Sequence, residues 1–216
     1  MKIVIMGAGA MGSLFGGLLA LSEEEVWLVD IRQEQADAIR STGLTIEEKG
    51  KKQTIRVNAT SDAASVGKAD LIIFFVKAYH TEKASSDALV LQKKSTVFLT
   101  LQNGLGNEEA ICKQVDPREV ILGVTNHGAT FLGPGRIRHA GRGKTYVGEL
   151  DGTRTDRVTR IAQVFTKAGI ETEISSNIQT LVWDKLFINV GINAVAALTG
   201  LKNGRLLDYP ETLRLM

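Results

Sequence analysis

A single cysteine, Cys112, excludes an intramolecular disulfide and any zinc site built on several thiolates in this chain of 216 residues. No metal site is expected, and Cys112 reads as a buried spectator thiol. Three prolines are too few for a collagen or a polyproline linker. Charge of one sign is also scarce. Lys and Arg number 26 and Asp and Glu 24, a net +2, so no bulk attraction to nucleic acid or to an anionic membrane is expected. No uninterrupted apolar run, Leu71 to Val76 included, nears the ~20 residues of a membrane helix. The opening Met1-Lys2-Ile3-Val4-Ile5-Met6 has no basic segment ahead of a long apolar stretch, and reads as a strand rather than a signal peptide. A cytoplasmic protein without a membrane partner is expected. The 44% hydrophobic and 23% charged content excludes a disordered chain.

Glycine is what the chain has in plenty, 22 residues, and its placement is informative. Ile3 to Met6 is a short apolar strand ended by glycine. Ala10 to Leu21 suits a helix packed closely on a sheet. Glu25 to Val29, Leu71 to Val76, Ser95 to Leu101, Val120 to Val124 and Ile170 to Ile174 read as further strands. Helices are expected at Gln33–Arg40, Thr81–Leu91, Glu108–Gln114 and Asp156–Ala168. Leu44–Glu48 and Gln53–Val57 flank a hairpin turn, and Thr130–Gly148 reads as an antiparallel meander. Strands alternating with helices predict an α/β fold: a Rossmann-type, doubly wound, mostly parallel sheet. The expected boundary lies near Ser175-Ser176-Asn177. This makes residues 1–175 a dinucleotide-binding domain and residues 176–216 the start of an all-helical domain, opened by one long helix over Ile178–Leu198.

Gly7-Ala8-Gly9-Ala10-Met11-Gly12 matches G-x-G-x-x-G between a strand and a helix, the context that the pattern requires. Gly7 is expected to allow the turn, Gly9 to admit a pyrophosphate, and Gly12 to let helix and strand close up. Asp30 ends the second strand, placed to accept from a ribose 2′-OH as in NAD proteins. Arg32 is placed to pair with a 2′-phosphate as in NADP proteins, and both readings stay open. Gly141-Arg142-Gly143-Lys144-Thr145 resembles the end of a P-loop, but Arg138 stands where that motif needs its first glycine.

The long helix carries a polar stripe. Lys185, Asn189 and Asn193 recur at i, i+4 and i+8, within about 80° of one helix face. The helix is otherwise apolar nearly all round, which predicts burial. Unpartnered buried amides cost about 1–3 kcal/mol each, so the stripe must face water, a polar partner or a ligand. A solvent-facing side or an asparagine ladder are the plain alternatives. The functional one is a cleft wall, with a partly desolvated Lys185 as general acid. Lys77, Gln102-Asn103-Gly104 and Asn126-His127-Gly128-Ala129 follow strands at the carboxyl edge, where α/β sheets bind ligands. His127 and His139 rank below Lys185 for acid–base work, and Asn203-Gly204 is placed to reach back to the same cleft.

In order and spacing these residues resemble the ketopantoate reductases (2-dehydropantoate 2-reductases). The shared features are the opening through Gly12, Val76-Lys77-Ala78, Leu101-Gln102-Asn103-Gly104, Trp183-Asp184-Lys185-Leu186 with Asn189 and Asn193, and Asn203-Gly204. The resemblance implies NADPH-dependent reduction of 2-dehydropantoate to pantoate, toward pantothenate and coenzyme A. Lys185 would be the general acid, and Asn103, Asn189, Asn193 and Asn203 would hold a small 2-oxo acid. Residues 7–12, Asp30, Arg32, Lys77, Asn103 and Ala129 would lie by NADP, or by NAD if Asp30 decides. Family members continue into helices that bring a serine to the substrate and a glutamate near the cofactor, and this chain ends at Met216. The helical domain is therefore expected to be short, leaving the long apolar helix without part of its cover unless a partner subunit supplies it, and a homodimer is expected. A reductase of another 2-oxo acid and a cofactor-binding protein without turnover are the alternatives.

Overall fold

The computed structural model describes all residues, Met1–Met216. Twelve strands and seven α-helices follow one another as β1 (Lys2–Met6), α1 (Ala10–Ala20), β2 (Glu25–Val29), α2 (Gln33–Thr42), β3 (Leu44–Glu48), β4 (Lys51–Ile55), β5 (Asn58–Thr60), β6 (Leu71–Phe74), α3 (Thr81–Ala88), β7 (Val97–Thr100), α4 (Asn107–Cys112), β8 (Val120–Thr125), β9 (Gly128–Gly133), β10 (Arg136–Gly141), β11 (Thr145–Glu149), α5 (Asp156–Lys167), β12 (Thr172–Ile174), α6 (Ile178–Thr199) and α7 (Pro210–Leu215). The main sheet has the order β12-β11-β8-β7-β6-β1-β2-β5. It is parallel from β5 to β8, and β11 runs antiparallel to β8.

The pleat explains the layering. Ile3 and Ile5 of β1 point to one side, with Leu14, Phe15 and Phe165 from α1 and α5. Val4 and Met6 point to the other, with Ala84, Ala88 and Ile111 from α3 and α4. Successive side chains on opposite faces bury both. The chain starts in the middle of the sheet, on β1, and crosses to β2 on one side and β6 on the other. The order therefore reverses at β1, and the loops after β1 and β6 flank the crevice that this opens.

A second sheet, of order β4-β3-β10-β9, covers the outer side of α1. Gly17 makes room for it: a Cβ there would stand 2.9 Å from both Leu44 and Ile46 side-chain carbons. The expected meander over Thr130–Gly148 is thereby corrected in part. β9 and β10 form an antiparallel hairpin, but β11 leaves it for the main sheet beside β8. Strand β5 has no counterpart in the sequence reading, because three residues are too few to show a period.

Helix α6 is covered along one side. It packs on β8 and β11 along one side, burying Ile178, Val182 and Val195, while Phe187, Ile188, Val190 and Leu198 are 61–87% exposed. All-round apolarity calls for packing on every face, and only the sheet, α7 and the turn before α7 cover α6. By length and composition alone α6 is also long and apolar enough to cross a membrane, although Asp184, Lys185, Asn189 and Asn193 interrupt its apolar run.

Candidate active site

The loop between β1 and α1 is built by its glycines. Gly7 has φ of +99°, and a Cβ there would lie 2.8 Å from the Val76 nitrogen. A Cβ on Gly12 would lie 1.9 Å from the Gly7 carbonyl oxygen. A Cβ on Gly9 would meet nothing within 4 Å. Two glycines thus close the turn, and the third keeps an approach open. Gly9 caps α1 without a side-chain hydrogen bond, and no acid stands in the first turn. The first N–H groups and the positive end of the helix are left for an anion. The residues present fit a dinucleotide, and the open backbone at Gly9 would admit its pyrophosphate.

The cradle is clamped from behind. Ser13 Oγ and Gln35 Nε2 both donate to the Ala8 carbonyl, at 2.9 and 2.7 Å, and Gln35 Oε1 accepts from the Gly135 N–H at 2.9 Å. Gln35 is fully buried, tying the loop to the second sheet. Sequence reasoning passed it over. Its one signal is an amide among the inward residues of α2.

A cavity of about 540 Å³ opens beside the loop, lined by Gly7, Gly9, Ala10, Asp30, Arg32 and Lys77 among others. Here the two cofactor readings meet. Arg32 donates from Nε to Asp30 Oδ1 at 2.9 Å and from Nη2 to Oδ2 at 3.0 Å, and its backbone N–H reaches Oδ1 at 3.0 Å. The pairing raises the Arg32 pKa. The guanidinium also lies 5.0 Å from the ring centroid of Phe131, on β9, a platform that sequence reasoning did not identify.

A second crevice of about 180 Å³ shares Phe75, Val76 and Lys77 with the first, and adds Met11, Gln102, Asn103, Thr125, His127 and Lys185. Lys185 of α6 donates from Nζ to the carbonyl of Thr125, at the end of β8. Burial lowers its pKa below the ordinary lysine value of 10.5. The fold therefore brings the helix lysine to the glycine loop, with exposed Lys77 where the two cavities join.

Of the other candidates, one is committed to structure and four lie outside the crevice. Gln102 is committed to structure rather than open to a ligand: its Nε2 donates to the Val76 carbonyl and to Thr81 Oγ1, both at 2.8 Å. Ala129 packs on the core from β9 and does not line the second crevice. Asn189 is half-buried one turn along α6 from Lys185, while Asn193 and Asn203 are exposed. None of these three asparagines lines the crevice.

Along its whole length the chain is similar to known proteins. The family described as Ketopantoate reductase PanE/ApbA matches residues 3–152, and Ketopantoate reductase PanE/ApbA C terminal matches residues 177–216. The 2-dehydropantoate 2-reductase of Halobacterium salinarum is 38% identical over 217 residues, spanning all of this chain and 71% of its own. The 2-dehydropantoate 2-reductase of Geobacter metallireducens GS-15 superposes with a TM-score of 0.91 at 29% identity, over 98% of this chain and 70% of that one. D-mandelate dehydrogenase, solved with NADH and anilino(oxo)acetate, superposes at 0.92 with 31% identity, over 98% and 69%.

Proposed function

The chain belongs to the ketopantoate reductase family, and from that premise we propose that it is the oxidoreductase that reduces 2-dehydropantoate to pantoate, toward pantothenate and coenzyme A, with NADPH as reductant and Lys185 as general acid. The observation that carries the reading is the Lys185 ammonium in a crevice continuous with the glycine cradle. A bound nicotinamide supplies the hydride. Lys185 does what the chain must add: it donates a hydrogen bond to the carbonyl oxygen on which charge develops, then gives up the proton. The Thr125 carbonyl aims the ammonium, and burial brings its pKa toward neutrality. Asn103 reaches the crevice from the loop after β7. The family resemblance adds Asn189, Asn193 and Asn203 as substrate residues, but none of them lines this crevice, and Asn189 and Asn193 lie ~6 and ~12 Å along α6 from Lys185, so Asn103 and Lys185 are the groups placed to meet the oxo acid within it. Lys77, which lines both cavities, would stand by the cofactor, whereas Ala129 lines neither. A cytoplasmic homodimer completes the reading, and the exposed apolar side of α6 offers surface for a subunit contact.

Pairing supports NADPH over NADH. Asp30 is engaged by three N–H donors of one residue, which offsets its charge against a 2′-phosphate. Arg32 keeps Nη1 free for that phosphate. Arg32→Ala is therefore expected to weaken NADPH binding about tenfold or more, the worth of one charge-assisted hydrogen bond. NADH affinity should hold or improve, as fluorescence titration will read. Equal losses for both cofactors would remove the 2′-phosphate role. The test of function is loss of reduced-nicotinamide absorbance with 2-dehydropantoate. Likeness to D-mandelate dehydrogenase favours a second reading, reduction of another 2-oxo acid. Oxidation with such acids but not with 2-dehydropantoate would select it.

A further inference from the structure

The second crevice holds a group that the chemistry above leaves unused. His127 follows β8 by two residues, is 8% exposed, and lines the crevice with Lys185. Its Nδ1 lies 3.0 Å from Nε2 of His139, on β10. His139 Nδ1 lies 3.3 Å from Glu48 Oε1, on β3. Arg142 closes the row, donating from Nε and Nη2 to the two Glu48 oxygens at 2.6 and 2.8 Å. From the α1 side, Phe15 meets the His127 ring edge-on, with centroids 5.8 Å apart. Glu48 and Arg142 are the charged groups that act on His127, and Lys185, across the crevice, bonds Thr125.

Proton positions along this row follow from its two ends. Arg142 holds Glu48 below the usual carboxylate range, so Glu48 is an acceptor. Burial holds His127 down at about 4 and also lowers His139. Both rings are therefore neutral at pH 7, each with one donor and one acceptor. Glu48 takes the proton of His139 Nδ1. His139 Nε2 is then an acceptor, and His127 must donate from Nδ1. That leaves His127 Nε2 without a proton, and it is a buried atom with no partner.

What the ring fixes is the turn after β8. The His127 N–H donates to Thr125 Oγ1 at 3.3 Å, and Thr145 Oγ1 donates to the same oxygen at 3.0 Å. The carbonyl of Thr125 receives the Lys185 ammonium. We propose that Glu48, His139 and His127 form a positioning relay that tethers the end of β8 to the second sheet and so fixes the carbonyl on which Lys185 is aimed. Neither Glu48 nor His139 lines the crevice, so both act through His127 and Thr125. The proposal rests on the general-acid reading of Lys185.

Nitrogen-15 NMR of the full chain tests the relay without any substrate. Both rings should be neutral at pH 7 with the proton on Nδ1. A proton on Nε2 of His139, or a cationic ring at pH 7, overturns it. Kinetics test the consequence. In His139→Phe, which keeps a ring but no acceptor, kcat should fall about tenfold or more, with the NADPH dissociation constant within about twofold. The Lys185 titration should move down by about half a unit or more as the carbonyl that favours its charged form is displaced. His139→Gln, which restores an acceptor, should recover most of the rate. A wild-type rate and an unmoved Lys185 titration in His139→Phe would overturn the relay. So would an equal loss in the glutamine variant, which also serves if the phenylalanine variant does not fold. If the wild-type chain leaves 2-dehydropantoate untouched, the substrate reading fails. The ring tautomers and the Lys185 titration then still decide the relay.

Discussion

Lys185→Ala should abolish turnover while leaving the cofactor bound. General acid catalysis by a positioned side chain is worth about 10²–10⁴ in rate, and a loss in kcat of that size is expected. Lys185 lines the second crevice and not the cavity at the glycine loop, so the NADPH dissociation constant should stay within about twofold. The pH dependence carries the same signature. The working form is the ammonium, so the wild-type rate should fall as pH rises through the Lys185 pKa. Burial alone sets that pKa below 10.5. Lys185→Arg keeps a charge that does not titrate in this range, and the alkaline limb should disappear from whatever rate remains. Stability moves the other way. A lysine whose pKa is depressed in the folded state binds fewer protons folded than unfolded, so stability rises with pH between the folded value and 10.5. Removing the amine removes that slope and leaves no charge to desolvate. The alanine variant should therefore be no less stable at neutral pH, and its lost turnover cannot be laid to unfolding. Retained turnover in a folded Lys185→Ala protein would end the general-acid role.

How much of this was legible in the residues depends on the range of the interaction. The glycine loop is a local pattern with local causes: a positive φ at Gly7, a backbone contact at Gly12, open space at Gly9. All three roles follow from spacing. Lys185 and the stripe were legible because a polar period stands out on an apolar helix. Covering was legible only in part: an all-round apolar helix predicts burial, a short helical domain predicts lost cover, and α6 is largely exposed. Gln102 was placed at the right edge but with the wrong task, because a side-chain amide bonds equally well to a ligand or to the Val76 carbonyl. The pairing of Asp30 with Arg32 and the row from Glu48 to His127 were invisible. The first turns on side-chain geometry at i, i+2. The second joins residues 48, 127 and 139 through a parallel pairing of β10 with β3, which no local period encodes.

Gly12→Ala should be the most damaging single-carbon change in the chain, and paired with Gly9→Ala it separates packing from ligand contact. The added carbon at position 12 would stand 1.9 Å from the Gly7 carbonyl oxygen and 3.1 Å from Ile5 Cγ2. Backbone cannot swing aside as a long side chain does, so β1 and α1 must part. Overpacking in a closed core costs about 1–3 kcal/mol, occasionally more. With the clash on backbone, about 3 kcal/mol is expected, or roughly 6–12 °C in melting temperature for a chain of this size. Cofactor affinity should fall with it, because the same displacement splays the helix N-terminus away from Gly7. Position 9 is the contrast. A methyl there meets nothing within 4 Å, so Gly9→Ala should melt within about 1 °C of wild type. It nevertheless fills the space through which a pyrophosphate reaches the backbone. Dinucleotide affinity should drop about tenfold or more in a protein of unchanged stability, as wide as one lost charge-assisted contact. Calorimetry and fluorescence titration on the two variants give four readings. A Gly9→Ala protein that bound NADPH as tightly as wild type would mean that no phosphate sits over this loop.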